Sequence, residues 1–301
     1  MFYLNSLLIV VSVLITVLYF TMFERKLMRY IQLRKGPKKV GILGLFTPIS
    51  DAIKLFFKNI GLVLKSKEII FILSPVFSVV FLFLVWFLYP FFSSNNMFWY
   101  GYIIFMCVSS INVYCILGSG WGSNSKYSLL GSVRGLAQVI SYEILFVFIS
   151  FFPLCFQGSF FLFNFISNIY WYGLWLFPLF VLWVVRCIAE TNRSPFDFSE
   201  GERELVSGFN TEYGAMEFAC LFLGEYGQII FIRCLGILLF FPLHYELINL
   251  FFGLVLAVSF IWFRSTFPRF RYDLLMELAW RFGLIFVFIY FFYLMGDPII
   301  L

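Results

Sequence analysis

"FYLNSLLIVVSVLITVLYFTM", residues 2–22, holds no charged side chain, and as a helix it is long enough to cross the ~30 Å hydrocarbon core of a bilayer. Runs of the same kind recur to the end of the chain, near 3–22, 69–90, 98–118, 136–156, 169–187, 217–240, 247–263 and 281–296. The first is therefore read as one span among eight and not as a cleaved signal peptide. Composition agrees: 62% of residues are hydrophobic and 12% charged, against roughly 25% charged in soluble domains. The reading is an all-α integral membrane protein, residues 1–301 forming a single membrane domain. It has eight transmembrane helices, an interfacial amphipathic helix and ordered loops gathered on one side.

Positive charge orients the chain. Lys and Arg crowd the connection between spans one and two, from Arg25 to Lys67, and recur in every second connection after it. The third-to-fourth holds Lys126 and Arg134; the fifth-to-sixth holds Arg186, Arg193 and Arg203; the seventh-to-eighth holds Arg264, Arg269, Arg271 and Arg281. Every Lys and Arg except Arg233 is assigned to these odd-numbered connections, Arg186 and Arg281 at the very edge of a span. This bias puts the odd-numbered connections on the side where the chain is made and both termini on the other. The formal charge of +5 is dispersed beside spans, so no nucleic-acid partner is expected.

Redox and nucleotide chemistry find few ligands here. The six cysteines include no C-x-x-C pair, and most fall inside expected spans, where they read as small core residues. A b-type haem in a helical core needs paired imidazoles, and His244 is the single histidine. "GSGWG", residues 118–122, lacks the spacing of a dinucleotide fingerprint and reads as a flexible turn after a span. No metal site is expected.

Three odd-side connections are patterned. In "TPISDAIKLFFKNIGLVL", residues 47–64, Thr47 reads as an N-cap, Pro48 as a first-turn proline and Asp51 as a complement to the helix dipole. Ile49, Ile53, Phe56 and Ile60 recur at helical spacing opposite Lys54 and Lys58, the pattern of a helix lying in the interface. The segment "ETNRSPFDFSEGERELVSGFNTEY", residues 190–213, gathers Glu190, Asp197, Glu200, Glu202, Glu204 and Glu212. Ser199 and Glu202 there make a capping box, which leaves Glu200 and Glu204 on one helix face without a basic partner four residues away. Inside spans stand Glu143, Glu217 and Glu225. A carboxylate there costs ~2.5–3.5 kcal/mol on insertion scales, so each either faces a polar cavity and works there or is paired to Arg134 or Arg233 as structural glue.

Four segments carry a resemblance: "ERKLMRYIQLRKGPKKVGILGLFTPISDAIKLF" (24–56), "YSLLGSVRGLAQVISYE" (127–143), "AETNRSPFDFSEGERELVSGFNTEY" (189–213) and "RSTFPRFRYDLLMELAW" (264–280). In order and from first span to last, they resemble the subunit 1 family of NADH:ubiquinone oxidoreductase, respiratory complex I, with the short, phenylalanine-rich look of a mitochondrially encoded member. The resemblance implies a subunit whose odd-side loops face the matrix and help build the tunnel that admits ubiquinone, its substrate, from the bilayer. It implies no cofactor of this chain's own, with NADH, FMN and the iron–sulfur clusters held by partner subunits. Partners would be the quinone-site hydrophilic subunits, adjacent membrane-arm subunits and membrane lipids such as cardiolipin. The mitochondrial inner membrane is the implied location. On matching positions, Glu24, Arg25, Arg34 and Asp51 fall at the quinone entry, and Asp197, Glu200, Glu202 and Glu204 beside the tunnel. Glu143, Glu190 and Glu225 match the buried carboxylates that begin a proton path.

The chain departs from that pattern at Thr47, where Gln is usual, at Asn59, where Glu is common, and at Arg233, a place usually uncharged. Arg233 would lower the proton affinity of Glu225 if the two meet. The rival function is a stand-alone proton or cation secondary transporter; Pro153 and Pro178 interrupt two spans, but no symmetric pair of broken spans is evident. A structural anchor recruiting a soluble reductase is a third reading.

Overall fold

The computed structural model describes residues 2–58, 66–90, 98–167, 172–199, 201, 205, 207–242 and 246–296. Among them every regular element is helical: α1 Phe2–Ile31, α2 Thr47–Phe56, α3 Glu68–Leu88, α4 Gly101–Gly122, α5 Lys126–Gln157, α6 Leu162–Ser167, α7 Tyr172–Trp175, α8 Phe177–Glu190, α9 Ala215–Phe240, α10 Glu246–Thr266, α11 Tyr272–Glu277 and α12 Leu284–Gly296. A π-helical turn, Leu278–Gly283, joins the last two.

Among the described residues seven helices are long and apolar enough to cross a membrane, counting α11 to α12 as one. The fifth expected span is different. Its residues 169–171 lie outside the described set, and the remainder is α7 and α8, broken at Leu176 ahead of Pro178, which takes the first turn of α8. Alone, α8 is roughly 21 Å long at 1.5 Å per residue, short of the ~30 Å core.

Helix ends depart from the expected spans where charged but helix-favouring residues follow an apolar run. α1 continues through "ERKLMRY" to Ile31, so Glu24 and Arg25 are helical and not part of a loop. "GSGWG" is the last turn of α4 and no flexible loop: a methyl added at Gly122 would lie 2.9 Å from the Phe71 backbone, so the glycine lets α4 and α3 touch. Gly224 does the same for α9 against Ser78 of α3. The Thr47 hydroxyl bonds back to the Gly44 carbonyl at 2.7 Å instead of capping α2. Ile49, Ile53 and Phe56 of α2 are left uncovered by this chain; Ile60 and Asn59 lie outside the described residues.

α3, α4 and α5 pack side by side, α9 closes against α3, and α8 lies along α5. Burial ranks them: 61% of the apolar stretch of α9 and 56% of that of α5 are inside, against 17% for α1 and 11% for α10. The two central helices are the ones that carry the ionisable residues expected within spans.

Candidate functional site

Glu24 and Arg25 are neighbours on α1, and the ~100° turn per residue sends them apart. Glu24, 5% exposed, accepts a hydrogen bond from the Tyr226 hydroxyl of α9 at 2.8 Å and is ion-paired with Arg264 at the end of α10. Arg25 reaches the other way, to Asp51 of α2 at 2.8 Å, with both side chains about half exposed. Arg34 donates only to Gln32 beside it, at 2.6 and 3.0 Å. The expected entry quartet is therefore split three ways.

The connection after α8 is held in place by backbone contacts. Gln138 of α5, fully buried, donates to the carbonyls of Ala189 at 2.7 Å and Phe196 at 2.8 Å. The Phe270 amide donates to the Pro195 carbonyl at 3.1 Å, and Arg269 to Asp197 at 2.9 Å, which ties this connection to the one between spans seven and eight. Ser199 is fully buried and its hydroxyl bonds to no described residue. Glu200, Glu202 and Glu204 lie outside the described residues, as does His244.

Beyond this connection the buried carboxylates converge. Glu190, the last residue of α8, is ion-paired with Arg186 one turn earlier. Arg186, which the charge pattern assigns to a connection, is in fact 1% exposed inside the bundle, its guanidinium 3.3 Å from the centre of the Phe146 ring. Glu225 of α9 faces Arg193 at 3.7 Å, and Arg193 also covers the Tyr226 ring at 4.4 Å. Glu143 of α5 accepts from the Ser109 hydroxyl of α4 at 3.3 Å and is not paired with Arg134. Glu217 sits in the first turn of α9, where a carboxylate complements the helix dipole.

A cavity of about 60 Å³, measured by where a water's centre can lie, opens among these groups. Its polar lining includes Ser109, Asn112, Glu190, Asn192, Glu225 and Gln228, with Phe105, Val139 and Phe231 among the apolar walls. Since ~10–15 Å³ of such volume suffices for one water, several fit. The buried side-chain oxygens of Asn112 and Asn192 have no partner among the described residues, as expected of groups facing water. Two of the three expected proton-path carboxylates line this space, and Glu143 reaches it through Ser109.

A second cavity, about 20 Å³, is lined by Glu24, Arg193, Arg233 and Arg264 and shares Thr191 with the first. Arg233 does not meet Glu225. Its guanidinium lies 4.5 Å from the ring centre of Phe20 and 4.7 Å from that of Phe260. Among the described residues no three His, Cys, Asp or Glu side chains come together to hold a metal ion, and all six cysteines are unpaired.

Sequence reasoning missed Arg186, Tyr226 and the roles of Arg193 and Arg264. The i,i+4 spacing of Arg186 and Glu190 was a visible signal; the pairing of Tyr226 and Arg264 with Glu24, 202 and 240 residues apart in sequence, had none.

Helices of this length around a core of ion pairs and polar cavities define an integral membrane protein with a charged interior. A family model described as NADH dehydrogenase matches residues 4–295. The chain is similar to proteins called NADH-ubiquinone oxidoreductase chain 1: 45% identical to that of Aedes aegypti over 92% of this chain and 90% of that protein, 45% to that of Anopheles gambiae over 92% and 89%, and 42% to that of Tamias sibiricus over 93% and 92%. The chain belongs to the NADH dehydrogenase family.

Proposed function

We propose that this chain is the quinone-side membrane subunit of a respiratory NADH:ubiquinone oxidoreductase, and that its buried carboxylates pass on, as proton movement, the charge changes of quinone reduction. The observation that carries the proton part is one core cavity with room for several waters that Glu190 and Glu225 line and Glu143 joins through Ser109. A chain of waters and carboxylates can hand protons along, and a carboxylate whose neighbours change charge changes its proton affinity.

Ubiquinone is the substrate, entering from the bilayer past Arg25 and Asp51 toward the Glu24, Tyr226 and Arg264 cluster. Asp197 stands beside its passage, and Glu200, Glu202 and Glu204, which lie outside the described residues, take part with it in relaying its charge to Glu190. The uncovered apolar face of α2 suits contact with lipid or a neighbouring subunit. Partner subunits supply NADH, FMN and iron–sulfur chemistry; cardiolipin is among the lipids that would surround the chain. In this reading the protein crosses the mitochondrial inner membrane eight times, α7 and α8 together forming the fifth span, with odd-numbered loops toward the matrix.

Native isolation in mild detergent tests the assignment. Co-migration with a large set of chains and inhibitor-sensitive NADH:quinone reduction are expected; recovery as a small, self-sufficient ion carrier would refute it.

A further inference from the structure

We propose that Arg186 is a mobile counter-ion shared between Glu190 and Glu143, a positioning residue that makes protonation of one carboxylate release the proton of the other. The inference rests on the proton-path reading and adds to it a device that the path by itself does not require.

Arg186 is a cation at a fully buried position, where charge persists only if it is paired. Its partner is Glu190 on the same helix, one turn away. The guanidinium carbon sits over the Phe146 ring of α5, and the Trp183 ring, packed beside Phe146, lies 5.9 Å from it. Glu143 lies three residues before Phe146 and so projects from the same face of α5, within electrostatic range of both Arg186 and Glu190. Among the described residues Nε and Nη1 of the guanidinium have no oxygen partner, and the Cys187 thiol beside them is a weak acceptor, so donors remain for a second carboxylate. An aromatic ring holds a guanidinium without fixing its rotation in the plane, and Phe146 can act as the bearing on which Arg186 turns.

The step follows from charge balance. With Glu190 ionised, Arg186 stays on it and Glu143, deprived of a counter-ion, keeps its proton. A proton that arrives through the cavity binds a Glu190 carboxylate oxygen and cancels the pair. The guanidinium then turns to Glu143, whose O–H bond breaks as its proton leaves toward Ser109 and the cavity. One proton is bound and one released, and the net charge of the trio is unchanged. Among the described residues the other groups near Arg186 are Tyr102 of α4 and Cys187 of α8, with Arg233 of α9 beyond them, and none of these is a competing carboxylate.

The test uses the assembled enzyme carrying Arg186→Gln, Arg186→Lys or Glu190→Gln, with protons pumped per NADH oxidised and redox-difference infrared spectra as readouts. Arg186→Gln should lose pumping while quinone reduction continues, and should gain at rest the carbonyl band of a protonated carboxylic acid, which a further Glu190→Gln change removes. Arg186→Lys, which keeps the charge, should restore pumping in part. Normal pumping in Arg186→Gln without the new band overturns the proposal while Glu190→Gln still loses pumping; normal pumping in Glu190→Gln overturns the proton-path reading itself. Should Arg186→Gln not assemble, structures of the unmodified enzyme at rest and in turnover decide the matter: Arg186 on Glu190 in one and on Glu143 in the other is required, and a single position in both contradicts it.

Discussion

Two charged regions lie side by side in this bundle and share Thr191, yet they are built to opposite ends. Around the smaller cavity one carboxylate, Glu24, faces three guanidinium groups and accepts from Tyr226 and Arg264 together, so its charge is heavily compensated and its geometry fixed. Around the larger cavity Glu190 and Glu225, with Glu143 reached through Ser109, have only Arg186 and a share of Arg193, which also lines the smaller cavity, and amide oxygens stand without partners among the described residues. The first arrangement suits a rigid wall that keeps its charge; the second suits groups whose charge changes. Adjacent polar regions in a membrane protein are distinguished by how many counter-ions each carboxylate has, not by burial alone.

The sharpest way to break that distinction is Glu24→Ala. It would leave Arg264 and Arg233 without their carboxylate in a buried setting, at a cost of ~3–5 kcal/mol, and the assembled complex should be scarce on native gels. Glu225→Gln, which keeps shape and removes charge beside the larger cavity, should by contrast leave the amount of complex unchanged while protons pumped per NADH fall. Equal loss of assembly in both variants would erase the difference between the regions.

Gln138→Ala comes next. It leaves the Ala189 and Phe196 carbonyls without their donor and should cost ~1–3 kcal/mol, read as a lower melting temperature of the purified complex. Asp51→Ala removes a half-exposed ion pair worth ~0.2–1 kcal/mol, so no change in melting is expected and any effect should appear in the KM for quinone. Arg233→Met should be nearly neutral in stability, since a flexible apolar side chain can fill the space between Phe20 and Phe260 without the desolvation cost of a cation.

The helical membrane class and most spans were legible because apolar runs of the right length leave few alternatives. Their ends were less so: whether "ERKLMRY" continues α1 depends on what α9 and α10 offer to Glu24, which no local pattern records. The positive-charge pattern put Arg186 in a connection, whereas it is buried in the bundle, where Glu190 one turn away permits its charge. The split between α7 and α8 follows from Pro178, which the sequence already marks as an interruption of the 169–187 run. Of the site, the carboxylates were legible as costly residues in an apolar chain. Their partners were not, because Tyr226, Arg193 and Arg264 become counter-groups only when distant helices meet.

The central claim is that carboxylates around the larger cavity carry protons. Glu143→Gln tests it most directly, since Glu143 joins that cavity only through Ser109 and is in no ion pair among the described residues, so its loss should not disturb assembly. Protons pumped per NADH oxidised, measured with quinone reduction in the same assembled enzyme in sealed vesicles, should collapse while reduction persists. Pumping at the unmodified ratio would contradict the account.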